Sequence, residues 1–311
     1  MMALKKSIVN DVDRGAGFAI LGNEPKGPDT HLIGEAVISN EPTIFFESIA
    51  DLCIKNSVKV VVLDLHKSAE GHHLVRFLDL CCGNGIKVVA VDCLVNYQQY
   101  LAHIWLPSIF FDSNDVSVGP RVCEISLGWD HFLLLRSGEA AIWEPGLDVL
   151  VLTGGSDVNN LGSWLPAELD RRLSSRARIK WIRGPYSAPP VIPTAPRLTW
   201  NVCHNPADMN DLISTSSYVL TLFGVSFFEV LHHGIPVVVM PLNVDDNRGE
   251  FTVIRDAEVA VVALDPKDAV NKLITLMGSE DLAKNISKNA KEKMRIDGCN
   301  ILASKISDLI G

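Results

Sequence analysis

SYVLTLFGVSFFEVLHHGIPVVVMPL, residues 217–242, carries a strand, a helix and a second strand in immediate succession. SYVLTLF (217–223) and PVVVMPL (236–242) are short apolar runs rich in β-branched and aromatic residues, the pattern of strands buried on both faces of a parallel sheet. Gly224 ends the first strand, and SFFEVLHH (226–233) reads as the helix that crosses back to the second.

The same alternation extends in both directions. DVLVLT reads as a strand, the segment after Asn160 as a helix and RIKWI (178–182) as a strand. The proline-rich stretch from Pro185 to Pro196 reads as a surface loop and DMNDLIST (208–215) as a short helix. Further upstream, VKVVVLDL (58–65) is a strand. His72 to Cys82 place Leu74, Phe77, Leu78 and Cys81 at helical spacing, and IKVVAVDCL (86–94) is a strand again after the Gly83 to Gly85 turn. From Asp265 onward the pattern is mostly helical with lysine-rich exposed faces. Polar and turn residues interrupt the periodicity over 128–146, which sets a domain boundary near residue 140. The expected architecture is α/β, with two doubly wound parallel-sheet domains, 1–140 and 141–311. Residues 1–56 are the least legible, because glycines and prolines from Gly15 to Pro42 leave only short apolar runs.

Composition excludes several functions. With 311 residues, 47 % hydrophobic and 21 % charged, the chain has the balance of a folded protein of two ordinary domains. A net charge of -9 argues against a general binder of nucleic-acid backbones. The opening MMALKKSIVNDVDRG reaches acidic residues before any signal-peptide core forms, and no stretch of about 18 apolar residues follows, so a cytoplasmic protein without an integral membrane segment is expected. Seven cysteines, including Cys81 and Cys82 side by side, follow no CxxC spacing, and buried thiols are expected rather than disulfides or a zinc knuckle. The pairs His72, His73 and His232, His233 lack the helical spacing of metal ligands, so no metal is expected.

In open parallel sheets, ligands sit beyond the carboxyl ends of the strands. VLTGGSDVNNLGSW (151–164) places Gly154, Gly155 and Ser156 at such an end. Glycines there let the backbone approach a ligand, and amides of the turn and following helix can hold an anion without lysine. A tight turn that needs glycine only for shape is the competing reading, with Asp157 and Asn160 as helix caps. At the second turn, Ser226 and Glu229 have capping-box spacing; alternatively, the helix points its positive end at a diphosphate and Glu229 accepts hydrogen bonds from ribose hydroxyls.

GGSDVNN followed by DMNDLISTSSYVLTLFGVSFFEVLHHGIP resembles the C-terminal half of GT-B glycosyltransferase-like proteins. The resemblance is greatest to the UDP-sugar hydrolases of pseudaminic acid biosynthesis and related spore-coat polysaccharide proteins, and more distant to MurG-type transferases. YLAHIWLPS (100–108), GWDHFLLLR (128–136) and DGCNILASKI (297–306) resemble further segments of that family in order, so that about residues 58–311 are covered. The resemblance implies an interdomain cleft in which Gly154, Gly155, Ser156, Gly224, Ser226 and Glu229 line a UDP site, and Asn247 contacts the donor sugar or phosphates. It implies a UDP-sugar as substrate, with no separate cofactor, a sugar or glycan acceptor, and cleavage of the sugar–UDP bond by transfer or hydrolysis.

The resemblance fails at the first turn. The family's Gly-x-Gly-His-x-x-Arg corresponds to RGAGFAILG (14–22), where Gly15 and Gly17 align but Phe18 replaces the histidine, and phenylalanine cannot transfer a proton. RGAGFAILG also lacks the third glycine of a dinucleotide fingerprint. Other candidate bases are His66, Asp64 and Asp13, with Asp92 on the next strand, each set against an ordinary role as cap or turn former. The alternative is a non-catalytic nucleotide-sugar-binding or assembly subunit that has lost the first-turn histidine.

Overall fold

A computed structural model of the chain describes residues 18–21, 36–39, 41–110, 123–134, 136, 142–206, 208–242 and 248–311. The chain divides into two compact units, Met1–Leu135 together with Asp297–Gly311, and Arg136–Ile296.

The first unit contains two strands paired in parallel, β1 (Phe18–Leu21) and β2 (Ala36–Ser39), and a helix α1 (Pro42–Lys55). There follow β3 (Val60–Leu63), α2 (His72–Gly83), β4 (Lys87–Val91), β5 (His103–Leu106) and β6 (Glu124–Leu127). Strands β3 to β6 form a parallel sheet in sequence order. Alternation along the strands divides the core. Leu63, Val88, Ala90 and Ile104 face Phe45, Phe46, Leu74 and Phe77 of α1 and α2, whereas Val89, Val91 and Trp105 face the other way. That second face is covered by the last helix, α9 (Gly298–Ile310), through Leu302, Ala303 and Ile306. Full burial of a Leu or Ile side chain stabilises by roughly 1.5–3 kcal/mol, so this helix contributes to the first unit's core. Its start is pinned at Gly298, where a β-carbon would lie 2.6 Å from the Phe132 carbonyl oxygen, and Lys305 pairs with Glu124 further along. Residues 297–311, expected with the second domain, therefore pack in the first unit: amphipathic periodicity shows that a helix has a partner but not which sheet it is.

The second unit is a six-stranded parallel sheet of β7 (Asp148–Leu152), β8 (Arg178–Arg183), β9 (Thr199–His204), β10 (Tyr218–Leu222), β11 (Val237–Met240) and β12 (Val261–Val262), in the order β12-β11-β10-β7-β8-β9. Its helices are α3 (Leu165–Arg172), α4 (Met209–Ser214), α5 (Val225–His233), α6 (Arg248–Asp256), α7 (Pro266–Met277) and α8 (Glu280–Lys293). All five residues of β10 and all four of β11 are buried, as expected for continuous apolar runs covered on both faces. Read from β9, the order is third, second, first, fourth, fifth, sixth, that of a doubly wound nucleotide-binding sheet. No described helix is long and apolar enough to cross a membrane. All seven cysteines are free; five are buried, while Cys82 is exposed and Cys203 half-buried.

Candidate functional site

The order of the six strands reverses between β7 and β10, and ligands bind such sheets in the crevice at that reversal. The two strands lie side by side, with Thr221 opposite Leu152. The turns that leave them, Gly154-Gly155-Ser156 and Gly224-Val225-Ser226, are therefore brought together beyond their carboxyl ends.

The glycines in these turns have different causes. Gly154 has φ +82°, a left-handed conformation that favours glycine. Gly155 has no positive φ, and a β-carbon built on it would meet nothing within 4 Å. Gly224 is extended at φ 161° and equally uncrowded. Shape explains the first glycine but not the other two, whose β-carbons would meet no described residue within 4 Å at the reversal. Gly184, just after β8, is required by packing: a β-carbon there would lie 2.4 Å from the Gly155 carbonyl oxygen. The same loop fixes the turn through the Tyr186 amide, which donates to the Gly155 carbonyl at 2.9 Å. Gly184 was missed by sequence reasoning because it opens a proline-rich segment that reads only as loop.

The helix starts also differ. After the first turn the chain makes a 3-10 turn at Leu161–Ser163 before α3. Asp157, at φ 47°, accepts from the amides of Leu161 at 2.9 Å and Gly162 at 2.8 Å. The capping expectation for Asp157 holds, and its carboxylate occupies amides that an anion would otherwise use. Asn160 is the N-cap by position but makes no side-chain cap. At the second turn the N-cap is Gly224, without a side-chain cap, and Ser226 lies two residues inside the helix. Ser226 therefore does not cap, and the capping box with Glu229 is not formed, because the helix begins two residues earlier than its spacing requires. The start of α5 thus has no side-chain cap at Gly224, the condition under which the positive end of a helix can meet an anion. Glu229 is the fifth residue of α5 and half-buried. Asn247 and Asp13 lie outside the described residues, as do Gly15 and Gly17.

Beside the first turn, the second unit has a groove of about 340 Å³ lined by Asn159, Leu161, Trp164, Leu242, Asp265 and Pro266, among others. The Asn159 amide donates to the Leu242 carbonyl, tying one wall to the other.

In the first unit, Asp64 and His66 follow β3, and Asp92 follows β4, which pairs with it. Asp64 and His66 are exposed. His66 Nδ1 accepts from the Ser68 amide at 3.2 Å and lies 2.9 Å from Ser68 Oγ, so the histidine caps a 3-10 turn at Lys67–Ala69. Asp92, at φ 55°, reaches solvent, yet surrounding protein desolvates it enough to raise its carboxyl above the ordinary value, and the Asp64 charge adds to the rise. Three other histidines have structural partners. His103 Nε2 meets Ser126 Oγ at 3.0 Å, His233 Nε2 meets Asn210 Oδ1 at 2.9 Å, and His73 Nε2 meets Thr43 Oγ1 at 2.9 Å.

No family model matches the chain, and no curated protein sequence matches it. Solved structures do. A glycotransferase of kitacinnamycin superposes with a TM-score of 0.68 at 13 % identity, covering 100 % of this chain and 95 % of that one. The chain has the GT-B fold. MurG from Acinetobacter baumannii gives a TM-score of 0.65 at 15 % identity over 99 % of this chain and 94 % of that one. Phytolacca americana UGT2, complexed with UDP-2fluoro-glucose and pterostilbene, gives 0.61 at 12 % identity over 99 % and 96 %. At these identities the likeness is one of GT-B architecture.

Proposed function

We propose that the chain binds a nucleotide sugar, specifically a UDP-sugar, and transfers the sugar to the hydroxyl of a sugar or glycan acceptor. The observation that carries this reading is the pair Gly155 and Gly224: two glycines required neither by conformation nor by packing against the described residues, on adjacent strand ends at the reversal of a doubly wound sheet. The diphosphate lies over these turns against the uncapped start of α5, and Glu229 accepts from ribose hydroxyls. Ser156 and Ser226 offer hydroxyl donors beside the same turns, and Asn247 is assigned to the donor by family resemblance alone.

In the reaction the bond between the anomeric carbon and the distal phosphate oxygen breaks, and UDP leaves with the electron pair. The backbone amides and the helix dipole stabilise the charge that develops on the leaving diphosphate. The acceptor oxygen forms the new bond to the anomeric carbon and surrenders its proton to a base. Asp92, Asp64, His66 and Asp13 are the groups proposed for that role; burial by the surrounding protein raises the Asp92 carboxyl above its ordinary value. Loss of the histidine at Phe18 supports a second reading, a subunit that binds the nucleotide sugar without turning it over.

Calorimetric titration with UDP, followed by UDP release from a panel of UDP-sugars with and without sugar acceptors, tests the proposal. Micromolar UDP binding with acceptor-dependent release is expected, and release without acceptor would make water the acceptor. Binding without any release would support the second reading, and absence of UDP binding would sink both.

A further inference from the structure

We propose that the outer edge of β9 pairs antiparallel with the same strand of a second copy, joining two six-stranded sheets into one continuous sheet across a two-fold axis. β9 has one neighbour in its sheet, β8, and no described strand on its other side. The two ends of the strand fix which backbone groups point outward. The Thr199 amide donates to the Ala177 carbonyl at 3.4 Å and the Asn205 amide to the Arg183 carbonyl at 2.9 Å, so the odd-numbered residues face β8. Trp200, Val202 and His204 therefore aim their amides and carbonyls away from the sheet.

Sheet edges are ordinarily blunted by short strands, prolines or charged side chains. The opposite edge of this sheet is short, since β12 has only two residues. β9 has six, TWNVCH, with no proline and no lysine, arginine, aspartate or glutamate, and Val202 is exposed. Its start is also fixed in advance. The buried Asp170 of α3 accepts from the amides of Arg197 and Leu198 at 3.0 Å each and from the Trp200 indole N–H at 3.2 Å. A strand ordered before its partner arrives loses little further freedom on pairing.

The register singles out a second copy as the occupant. Antiparallel strands exchange hydrogen bonds only where outward residues meet outward residues. Centred on Val202, the two-fold places Val202 opposite the partner's Val202 and Trp200 opposite the partner's His204, and every outward amide and carbonyl of both strands is used. A shift one way would call on the Leu198 amide, which is committed to Asp170, and a shift the other way on Pro206, which has no amide hydrogen. Charge is compatible with this register although each copy carries a net -9. Arg178, Lys180 and Arg183 of β8 fall in rows with the partner's Gly184, Ile182 and Ile179, so no two cations of these strands face each other. On the other face of β9, Asn201 stands opposite the partner's Cys203 in a non-hydrogen-bonded pair, where α-carbons are about 4.5 Å apart.

Sedimentation velocity on the full chain across the micromolar range tests the pairing, and twice the mass of one chain is expected. Val202→Pro removes an amide that points out of the sheet, an orientation in which edge strands tolerate proline. Val202→Lys sets a cation directly against its own copy and keeps the test decisive should the proline variant fail to fold. Each should weaken dimerisation roughly 100-fold or more, with the circular dichroism spectrum and urea midpoint of the parent. Asn201→Cys tests the register. With oxidised glutathione taking up the electrons of the two thiols, position 201 should form a disulfide with the partner's Cys203, seen as a covalent dimer on a non-reducing gel and lost when Cys203→Ser is added. A parent that stays monomeric, or a dimer unmoved by both Val202 substitutions, would overturn the proposal. Absence of the crosslink in a dimeric Asn201→Cys chain would overturn the pairing about Val202.

Discussion

At its strand ends the four-stranded sheet carries Asp64, His66 and Asp92, whereas the six-stranded sheet carries Gly154, Gly155 and Gly224 at the two ends that flank its reversal. The first set acts through side chains; the second exposes backbone. On the proposed function, one fold motif used twice would supply proton transfer in one unit and anion binding in the other. The difference predicts that variants of the first unit change rate while leaving nucleotide affinity alone, and variants of the second do the reverse.

The largest effect is expected from Asp92→Asn. If Asp92 is the base, the initial rate of UDP release falls about 10²- to 10⁴-fold while UDP affinity stays at the parent value. Because the Asp92 pKa is raised, its basic form is lost as pH falls through a value above the ordinary 3.8. The parent's kcat/KM should therefore decline on the acid side, and nucleotide affinity at the glycine turns should not share that decline. A matching acid loss of UDP affinity would erase the contrast between the sheets.

Gly184→Ala comes next. Its β-carbon meets the Gly155 and Gly154 carbonyl oxygens at 2.4 and 2.5 Å, so backbone must shift, at a cost of about 1–3 kcal/mol in urea denaturation. Gly155→Ala sharpens the comparison from the other side. It should leave stability within about 0.5 kcal/mol but weaken UDP roughly tenfold in calorimetry, because the added methyl fills ligand space rather than protein space. Unchanged UDP affinity in Gly155→Ala would reduce the turn to a bend.

The smallest effect concerns histidines that are buried or half-buried. Burial lowers the pKa of His103, His131 and His233 below 6.5, with Glu124 partly opposing the shift at His103. The unfolded chain takes up protons near pH 6.5 and the folded chain does not, so stability falls as pH drops below about 6.5 and levels off beneath the folded values. Thermal melting between pH 7.5 and 5 should show a smaller decline in His103→Gln and His233→Gln than in the parent.

Much of the fold was legible because buried parallel strands are written as continuous apolar runs. The strands at 60–63, 87–91, 148–152, 178–183, 218–222 and 237–240 all lie within or next to runs read as strands. What escaped has physical causes. β9, with the sequence TWNVCH, is an edge strand with four of its six residues exposed, so it carries neither an apolar run nor clean alternation. Helix α1 begins at Pro42, a residue favoured in a helix's first turn that looked like the end of a loop. At the candidate site, the glycines were visible as a pattern, but their division into Gly154 for conformation and Gly155 and Gly224 for open space needed coordinates.

Helix α9 has a consequence for synthesis. A chain emerging from the ribosome completes the second unit, a continuous run of residues, before the helix that covers Val89, Val91 and Trp105 has been made. The unit that starts first therefore finishes last, holding an apolar sheet face open while about half the polypeptide is added. That interval is the chain's period of greatest exposure to aggregation. Removing residues after Ile296 would make it permanent.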